Sequence, residues 1–300
     1  MRKPSPVPST LRGRAIATGD APQWGVSERR MRAGDVAHPY FGVVGFELSL
    51  TSVLERCRAY EPRLLDGQLF SHVTALALWG APISRGRADD IHLAVHFPRT
   101  PPRTVGSTGH SLQHLDPAVR FGLPVSTPAA AWCESAALLD RVELVAAGDA
   151  LVTGVRRPGG RQAPRATVAQ LRGALARRTG SPGAGRARWA LDRIRTGVDS
   201  FAETQTRLLL ARYRLPEPVT DCPIEVAGGL TLHSDLGYPT ARIAIEFEGD
   251  EHRTNRERWM RDIRRRELME DAGWRVIRIV QADLDDPVAL IARLRHLLVV

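Results

Sequence analysis

Thr231-Leu-His-Ser-Asp235-Leu-Gly-Tyr-Pro-Thr240-Ala-Arg-Ile-Ala-Ile-Glu246-Phe-Glu248-Gly-Asp-Glu-His252 decides how the last third of this chain is read. It reads as two short strands around a Gly-Tyr-Pro-Thr turn. In the second, Arg242 to Glu248, side chains alternate with a period of two. Ile243, Ile245 and Phe247 take one face; Ala244, Glu246 and Glu248 take the other. A turn centred near Pro239 and Thr240 folds Asp235 back to about the level of Ala244, beside Glu246. Three carboxylates then share one patch of a sheet whose other face is apolar. Left alone, such a patch repels itself and raises the pKa of at least one acid. A divalent cation with hard oxygen ligands removes the conflict, which is the chemistry of a metal-dependent phosphodiesterase. The same alternation describes the solvated face of an antiparallel sheet, with Arg242 neutralising one acid. On this stretch alone both readings stay open.

The flanking residues extend the pattern. Ser200-x-x-Glu203 opens a helix over 200 to 214, and Leu215-Pro216-Glu217-Pro218 follows it. Strands are expected at 222 to 227, 230 to 236 and 242 to 248, then a helix at 254 to 272 carrying Asp262-x-x-Arg265 and stopped by Gly273. Gly273-Trp274-Arg275-Val276-Ile277-Arg278 leads a strand at 274 to 280. Asp285 or Asp286 with Pro287 starts a closing helix whose apolar face is Val288, Ile291, Leu294 and Leu298. With Asp235, Glu246-Phe-Glu248-Gly249 and His252, this ordered set resembles the very-short-patch-repair (Vsr)-like endonuclease domain. That domain, also called domain of unknown function 559, belongs to the PD-(D/E)XK nuclease superfamily.

The resemblance implies an α/β fold with a restriction-endonuclease-like α-β-β-β-α-β core, Mg2+ as cofactor with Mn2+ as alternative, and DNA as partner. It makes Asp235 and Glu246 metal ligands, and Glu248 the group that positions or deprotonates water. His252, with an ordinary pKa of about 6.5, suits proton transfer, a surface or capping histidine being the other reading. Glu203 is either the helical acid of the superfamily or half of a capping box with Ser200. Arg265 contacts nucleic acid if its helix turns that side to the site; an ion pair with Asp262 is the alternative. One departure matters. The superfamily's motif lysine is replaced by Glu248, and the chain's single lysine is Lys3, so the general base stays open.

Composition bounds the rest. Three hundred residues with 43% hydrophobic content fit two domains, or two and a small one. No apolar run of about 18 residues occurs, the start lacks a signal-peptide pattern, and Cys57, Cys133 and Cys222 stand apart. A cytoplasmic protein without membrane attachment is expected. Between Thr153 and Arg195 lie eleven arginines and one acid, Asp192, a local charge of +10 in a chain of net charge +9. A GC-rich genome produces such arginine preference. The functional reading is phosphate neutralisation, with Arg156, Arg157, Arg161 and Arg165 as nucleic-acid contacts; the other is a solvated linker broken by Pro and Gly.

Upstream, residues 1 to about 10 read as disordered, and Leu11 to Gly34 as two short helices about Trp24-Gly25-Val26-Ser27, a degenerate helix-turn-helix. A helix ends at Trp79-Gly80, strands follow at Ile91 to Phe97 and Gly109 to Leu115, and helices cover about 128 to 139 and 140 to 152. Ser71-His72-x-Thr74-Ala75, Gly80-Ala81-Pro82 and Gly148-Asp149 are similar to AbiEi-type antitoxin proteins. That resemblance implies an α+β winged-helix-like and middle-domain module of type IV toxin–antitoxin systems, with a toxin or defence-system partner. The expected domains are 1–60, 61–152, an Arg-rich helical linker at 153–198, and the nuclease-like domain at 199–300. His92 and His96, like His110 and His114, are four apart, but on a strand that spacing separates ligands by about 13 Å, too far for one ion; two from each of two strands meeting is the alternative. No phosphate-binding glycine loop or nucleophile elbow is present. Two functions compete: a Mg2+-dependent DNA endonuclease, and a non-catalytic DNA-binding regulator that keeps the nuclease fold as scaffold. Cleavage of RNA is a third option.

Overall fold

The computed structural model describes residues 6–84, 86, 89–157, 160–248 and 256–299. Its class is mixed α/β, and the chain divides into two compact units, residues 1–140 with 166–189 and residues 141–165 with 190–300. These divisions differ from the expected boundaries after residues 60, 152 and 198.

In the first unit, β1 (Arg14–Ala17), β2 (Val36–Ala37) and β3 (Val43–Phe46) form a sheet in the order β1-β3-β2. Thr18–Trp24 is a 3-10 helix, Gly25 is left-handed at φ 70°, and Ser27 caps the single-turn α1 (Glu28–Met31) by accepting the Arg30 N–H. Leu11, Ile16, Val26, Val44 and Phe46 fill the core beneath. This corrects the expected helix pair. Arg14–Ala17 pairs as a strand, Pro22 removes a donor from the first helical segment, and a four-residue α1 rises only about 6 Å. Leu11 is fully buried and Val7 packs on the same core, so order begins before residue 10.

After α2 (Val53–Tyr60) come β4 (Leu69–Phe70), α3 (His72–Trp79), β5 (Ile91–His96), β6 (Arg103–Thr104), β7 (Ser107–Leu112), β8 (Pro117–Arg120), β9 (Leu123–Ser126) and α4 (Pro128–Glu134). The strands build a mixed sheet in the order β6-β7-β5-β4-β9-β8. The β8–β9 hairpin about Phe121 and Gly122 escapes sequence reading because Pro117 and Pro124 disturb the strand signal.

The second unit starts with α5 (Arg141–Thr153) and the hairpin of β10 (Arg156–Arg157) and β11 (Gly160–Arg161). The chain then returns to the first unit for α6 (Val168–Ala176) and most of α7 (Ala184–Leu191). Between their arginines, Leu171, Ala174, Leu175 and Ala187 recur at helical spacing and are buried. The Arg-rich stretch, expected as a helical linker, therefore contains packed helices.

The rest of the second unit runs α8 (Phe201–Arg212), β12 (Val219–Val226), β13 (Leu230–Tyr238), β14 (Ile243–Phe247), α9 (Arg256–Asp271), β15 (Arg275–Ile279), α10 (Gln281–Asp285) and α11 (Val288–Leu298). The sheet order is β12-β13-β14-β15, antiparallel until β15 joins β14 in parallel, with α9 as the crossover a parallel pair requires. One sheet face, with Leu236, Ile243, Ile245 and Ile277, packs on Leu210 of α8 and Ile291 and Leu294 of α11. The other, with Ile224, Val226 and Ala244, packs on Met269 of α9. Gly273, at φ 81°, ends α9, its successor's N–H bonding back to the Met269 carbonyl. The closing helix departs from expectation. A separate α10 precedes it, Pro287 itself holds the N-cap, and Val288 is exposed while Leu290 joins Ile291 and Leu294 in the core.

α5 and α8 are tied by a buried ion pair. Asp149 and Arg207 meet at 2.8 Å, and Asp149 also accepts the Arg195 N–H and the Thr204 hydroxyl, both at 2.7 Å.

Candidate active site

Strand register decides where the acids meet. β13 and β14 pair Leu236 with Ile245, Gly237 with Ala244 and Tyr238 with Ile243. The next position outward sets Asp235 opposite Glu246, on the face that Ala244 shares. The expected alignment of Asp235 with Ala244 is corrected by two residues because the turn is wider. Pro239–Ala241 form a 3-10 turn and Arg242 adopts a left-handed φ of 49° before β14 begins. The Phe247 N–H donates to Asp235 Oδ2 at 2.9 Å, fixing that carboxylate across the strand pair.

Glu203 joins from the first turn of α8. Its N–H donates to the Ser200 hydroxyl at 3.1 Å, but its carboxylate accepts the Asp199 N–H at 2.8 Å. Only half of the expected capping box forms. Glu203 and Asp235 line a cavity of about 400 Å3 with Arg156, Asp221, His233 and Arg265. Burial, then the nearby Asp235 charge, pushes Glu203 up to about 8. Burial likewise raises Asp235. Burial raises Glu246 too, with Arg265 pulling the other way.

Arg265, on α9, faces this site and not Asp262. Its Nη1 lies 2.6 Å from Glu246 Oε1, and its Nη2 donates to the His233 carbonyl. Glu246 Oε1 is buried, and the Arg265 guanidinium is its close partner. The oxygens of Asp235, Glu246 and Glu203 are not drawn within 4.8 Å of one another as a set of three. The guanidinium is the cation that currently offsets them.

Other expected site residues fall elsewhere. Glu248 lies just past β14, is 45% exposed and pairs with Arg278 at 3.0 Å, outside the cavity lining. His252 lies outside the described residues. Arg156 and Arg161 are engaged: Arg156 contacts Asp199 at 2.9 Å and Asp221 at 2.5 Å, and Arg161 binds the same two aspartates. The charge of these two arginines is therefore opposed by acids from outside the Arg-rich segment. Arg157 is exposed and Arg165 half-buried. Asp199, Asp221 and His233 were not singled out by sequence. Asp221 takes a left-handed φ of 48° within β12, a backbone state that only the structure reveals.

The first unit holds a second cluster. His92 and His110 belong to neighbouring parallel strands, and His92 Nδ1 lies 2.9 Å from His110 Nε2. The His72 ring stacks on His110 with centroids 3.6 Å apart. Spacing within a single strand says nothing about partners across strands, and the meeting takes one histidine from each of two strands and a third from α3, in place of two from each. The signal lies in β5–β7 pairing and in Ser71-His72 opening α3.

No family model matches the chain. It is similar to two Mycobacterium tuberculosis proteins, one from each of two strains and both described as uncharacterized, with 30% identity over 135 residues. The match covers 44% of this chain and 50% of each relative, so the chain spans about half the length of the curated relatives it matches. Among the described residues no helix is long and apolar enough to cross a membrane.

The raised acid has a consequence for stability. Glu203 ordinarily titrates near 4.5 and here near 8, so between those values the folded chain holds a proton that the unfolded chain has lost. Stability of the metal-free protein should fall as pH rises through that window and level off above it. Glu203→Gln is expected to melt with wild type near the lower end of the window and several degrees above it at the upper end. A melting difference that does not grow with pH counts against the placement of Glu203.

Proposed function

We propose that the second unit is a Mg2+-dependent DNA endonuclease with a restriction-endonuclease-like core, hydrolysing phosphodiester bonds in the cytoplasm, with Mn2+ as alternative ion. The order α8, three antiparallel strands, α9 and a parallel fourth strand supports the core assignment. The observation that carries the reading is Asp235 opposite Glu246, both raised by burial, with Glu246 Oε1 buried and offset by the Arg265 guanidinium. Two carboxylates of hard oxygen on one sheet face fit Mg2+, which keeps most of its waters and takes few protein ligands. Asp235 and Glu246 would hold the ion, which when bound polarises a phosphoryl oxygen and lowers the pKa of its water.

The chain's own groups do the rest. Arg265, released from Glu246, is free to take the phosphate, a planar fork to which phosphate oxygens are matched. Glu203, raised in the metal-free chain by burial and by the Asp235 charge, lies beside Asp235 and is the proposed proton donor to the leaving oxygen. Glu248 and His252 remain the proposed carriers of the water's proton, Glu248 once freed from Arg278.

Incubation of supercoiled plasmid with the protein and Mg2+ should give nicked and linear products, and EDTA should stop them. Retained DNA binding without cleavage in either Mg2+ or Mn2+ would overturn the nuclease reading. It would favour the second one, a DNA-binding regulator of AbiEi-like type with a toxin or defence-system partner. The pairs Arg265–Glu246 and Arg278–Glu248, which already neutralise two site acids, are the observation on its side.

The paired arginines also alter what salt should do. Each free cation that neutralises a phosphate adds roughly 0.9 to the slope of log affinity against log salt. Replacing Arg156, Arg157, Arg161 and Arg165 together by Gln should flatten the slope by only about 1–2 units, because Asp199 and Asp221 already occupy Arg156 and Arg161. Anisotropy titrations across salt concentrations measure this. A loss near the full four-charge value would mean that DNA strips both aspartates from the hairpin.

A further inference from the structure

We propose that His72, His92 and His110, in the first unit, form a binding site for one transition-metal ion of the Zn2+ class. The backbone converges them. β5 and β7 run parallel with His92 opposite Thr108 and Ala94 opposite His110, so the two rings share a face two positions apart. On the other side of β5 lies β4, and the Ser71 N–H that follows it donates to the His92 carbonyl at 2.9 Å, which sets His72 beside them. One ring nitrogen from each histidine lies within 4.8 Å of the other two, and among the described residues no other set of three His, Cys, Asp or Glu side chains does so.

The distances suit coordination after small ring movements. Zinc–imidazole bonds of about 2.0–2.1 Å place tetrahedral nitrogens roughly 3.3–3.4 Å apart. The observed His92–His110 separation of 2.9 Å is a few tenths of an ångström short of that spacing, and all three nitrogens lie within 4.8 Å of one another. His110 is near-parallel to His72 at 21° and to His92 at 12°, so the rings form a stack that must fan open slightly around an ion. An all-imidazole set selects Zn2+ and its neighbours over Mg2+ or Ca2+, the reverse of the carboxylate pair in the second unit.

Supporting groups are those expected around a metal site. The Ser71 hydroxyl lies 2.9 Å from His72 Nδ1 and orients that ring. His72 itself sits at φ 50°, a left-handed conformation costly for a residue with a Cβ and typical of functional positions. Its N–H donates to Glu134 Oε2, which also accepts the Ser126 hydroxyl. Glu134 Oε1 is buried without a hydrogen-bond donor, 3.6 Å from Arg178, in the wall of a cavity of about 810 Å3 that His72 and His110 also line. Three protein ligands beside such a cavity leave a fourth position for water or a small anion, the pattern of an open rather than a closed zinc site.

The test uses the full, untagged chain stripped with chelator and titrated with Co2+ in excess Mg2+, which occupies any carboxylate site. One equivalent should bind with the visible absorption of a tetrahedral nitrogen site and be displaced by Zn2+. His92→Gln and His110→Gln should each weaken binding by more than about 100-fold, while Asp235→Asn should leave it unchanged. Zn2+ should also raise the melting temperature of the wild-type chain in excess Mg2+, a reading that needs no variant to fold. Absence of stoichiometric Co2+ binding, or binding unchanged in both histidine variants, overturns the proposal. Loss of binding in Asp235→Asn instead would place the ion on the carboxylates and overturn it equally, whether or not the chain cleaves DNA.

Discussion

Glu246→Gln should abolish plasmid cleavage, with a loss of about 10³-fold or more, while raising the melting temperature of the metal-free protein. The two effects have one cause. A metal ion stabilises charge developing at a phosphoryl oxygen by several kcal/mol, and each ~1.36 kcal/mol is tenfold in rate. Without metal the same carboxylate is a liability. It is half-buried, its Oε1 is shut off from solvent, and it stands opposite Asp235, with the Arg265 guanidinium as the cation beside it. Glutamine keeps the shape and removes the charge. Asp235→Asn should act alike on cleavage, and should also lower the Glu203 pKa, since the Asp235 charge is its largest perturbation after burial. Scanning calorimetry in EDTA, cleavage assays in Mg2+ and a carbon-detected NMR titration of Glu203 read the three outcomes. A cleavage rate within tenfold of wild type in both variants would remove Asp235 and Glu246 from the chemistry. A lower melting temperature for Glu246→Gln would show that the Arg265 pairing outweighs the desolvation cost.

Much of the second unit was legible because its code is local. Alternation over Ile243–Phe247, the Gly273 stop and the Ser200 cap each act within a few residues, and strands and helices fall within a few positions of expectation. What was not legible depends on pairing between distant segments. The register of Asp235 with Glu246 turns on a left-handed Arg242 that lengthens the loop by two residues. The partners of Arg156 and Arg161 come from Asp199 and Asp221, some forty to sixty-five positions away, so counting charges within the segment could not find them. His72, His92 and His110 meet only through the β4–β5–β7 order, which no spacing rule along one strand can give. The hairpin β8–β9 was hidden by its prolines.

Asp149→Ala should destabilise the second unit by about 3–5 kcal/mol. Deleting this carboxylate leaves the Arg207 guanidinium, 2% exposed, without the partner that holds it at 2.8 Å. Among the described residues its remaining ionic contact is the Glu217 carboxylate at 3.4 Å, which lies nearer the surface and also serves Arg195. The Arg195 N–H and the Thr204 hydroxyl lose their acceptor as well, so three donors from two segments are orphaned at once. At roughly 2–4 °C per kcal/mol for a domain of this size, the melting temperature should fall by about 6–20 °C. The double change Asp149→Leu with Arg207→Met should recover much of that loss, because an apolar pair of similar volume has no charge to desolvate. Thermal melts of the three variants distinguish the cases. A drop below about 1 kcal/mol in Asp149→Ala would mean that Arg207 relaxes to solvent, and the pair would then be no stronger than a surface salt bridge. A double variant as unstable as the single one would show that the neutral hydrogen bonds to Arg195 and Thr204, and not the ion pair, fasten α5 to α8.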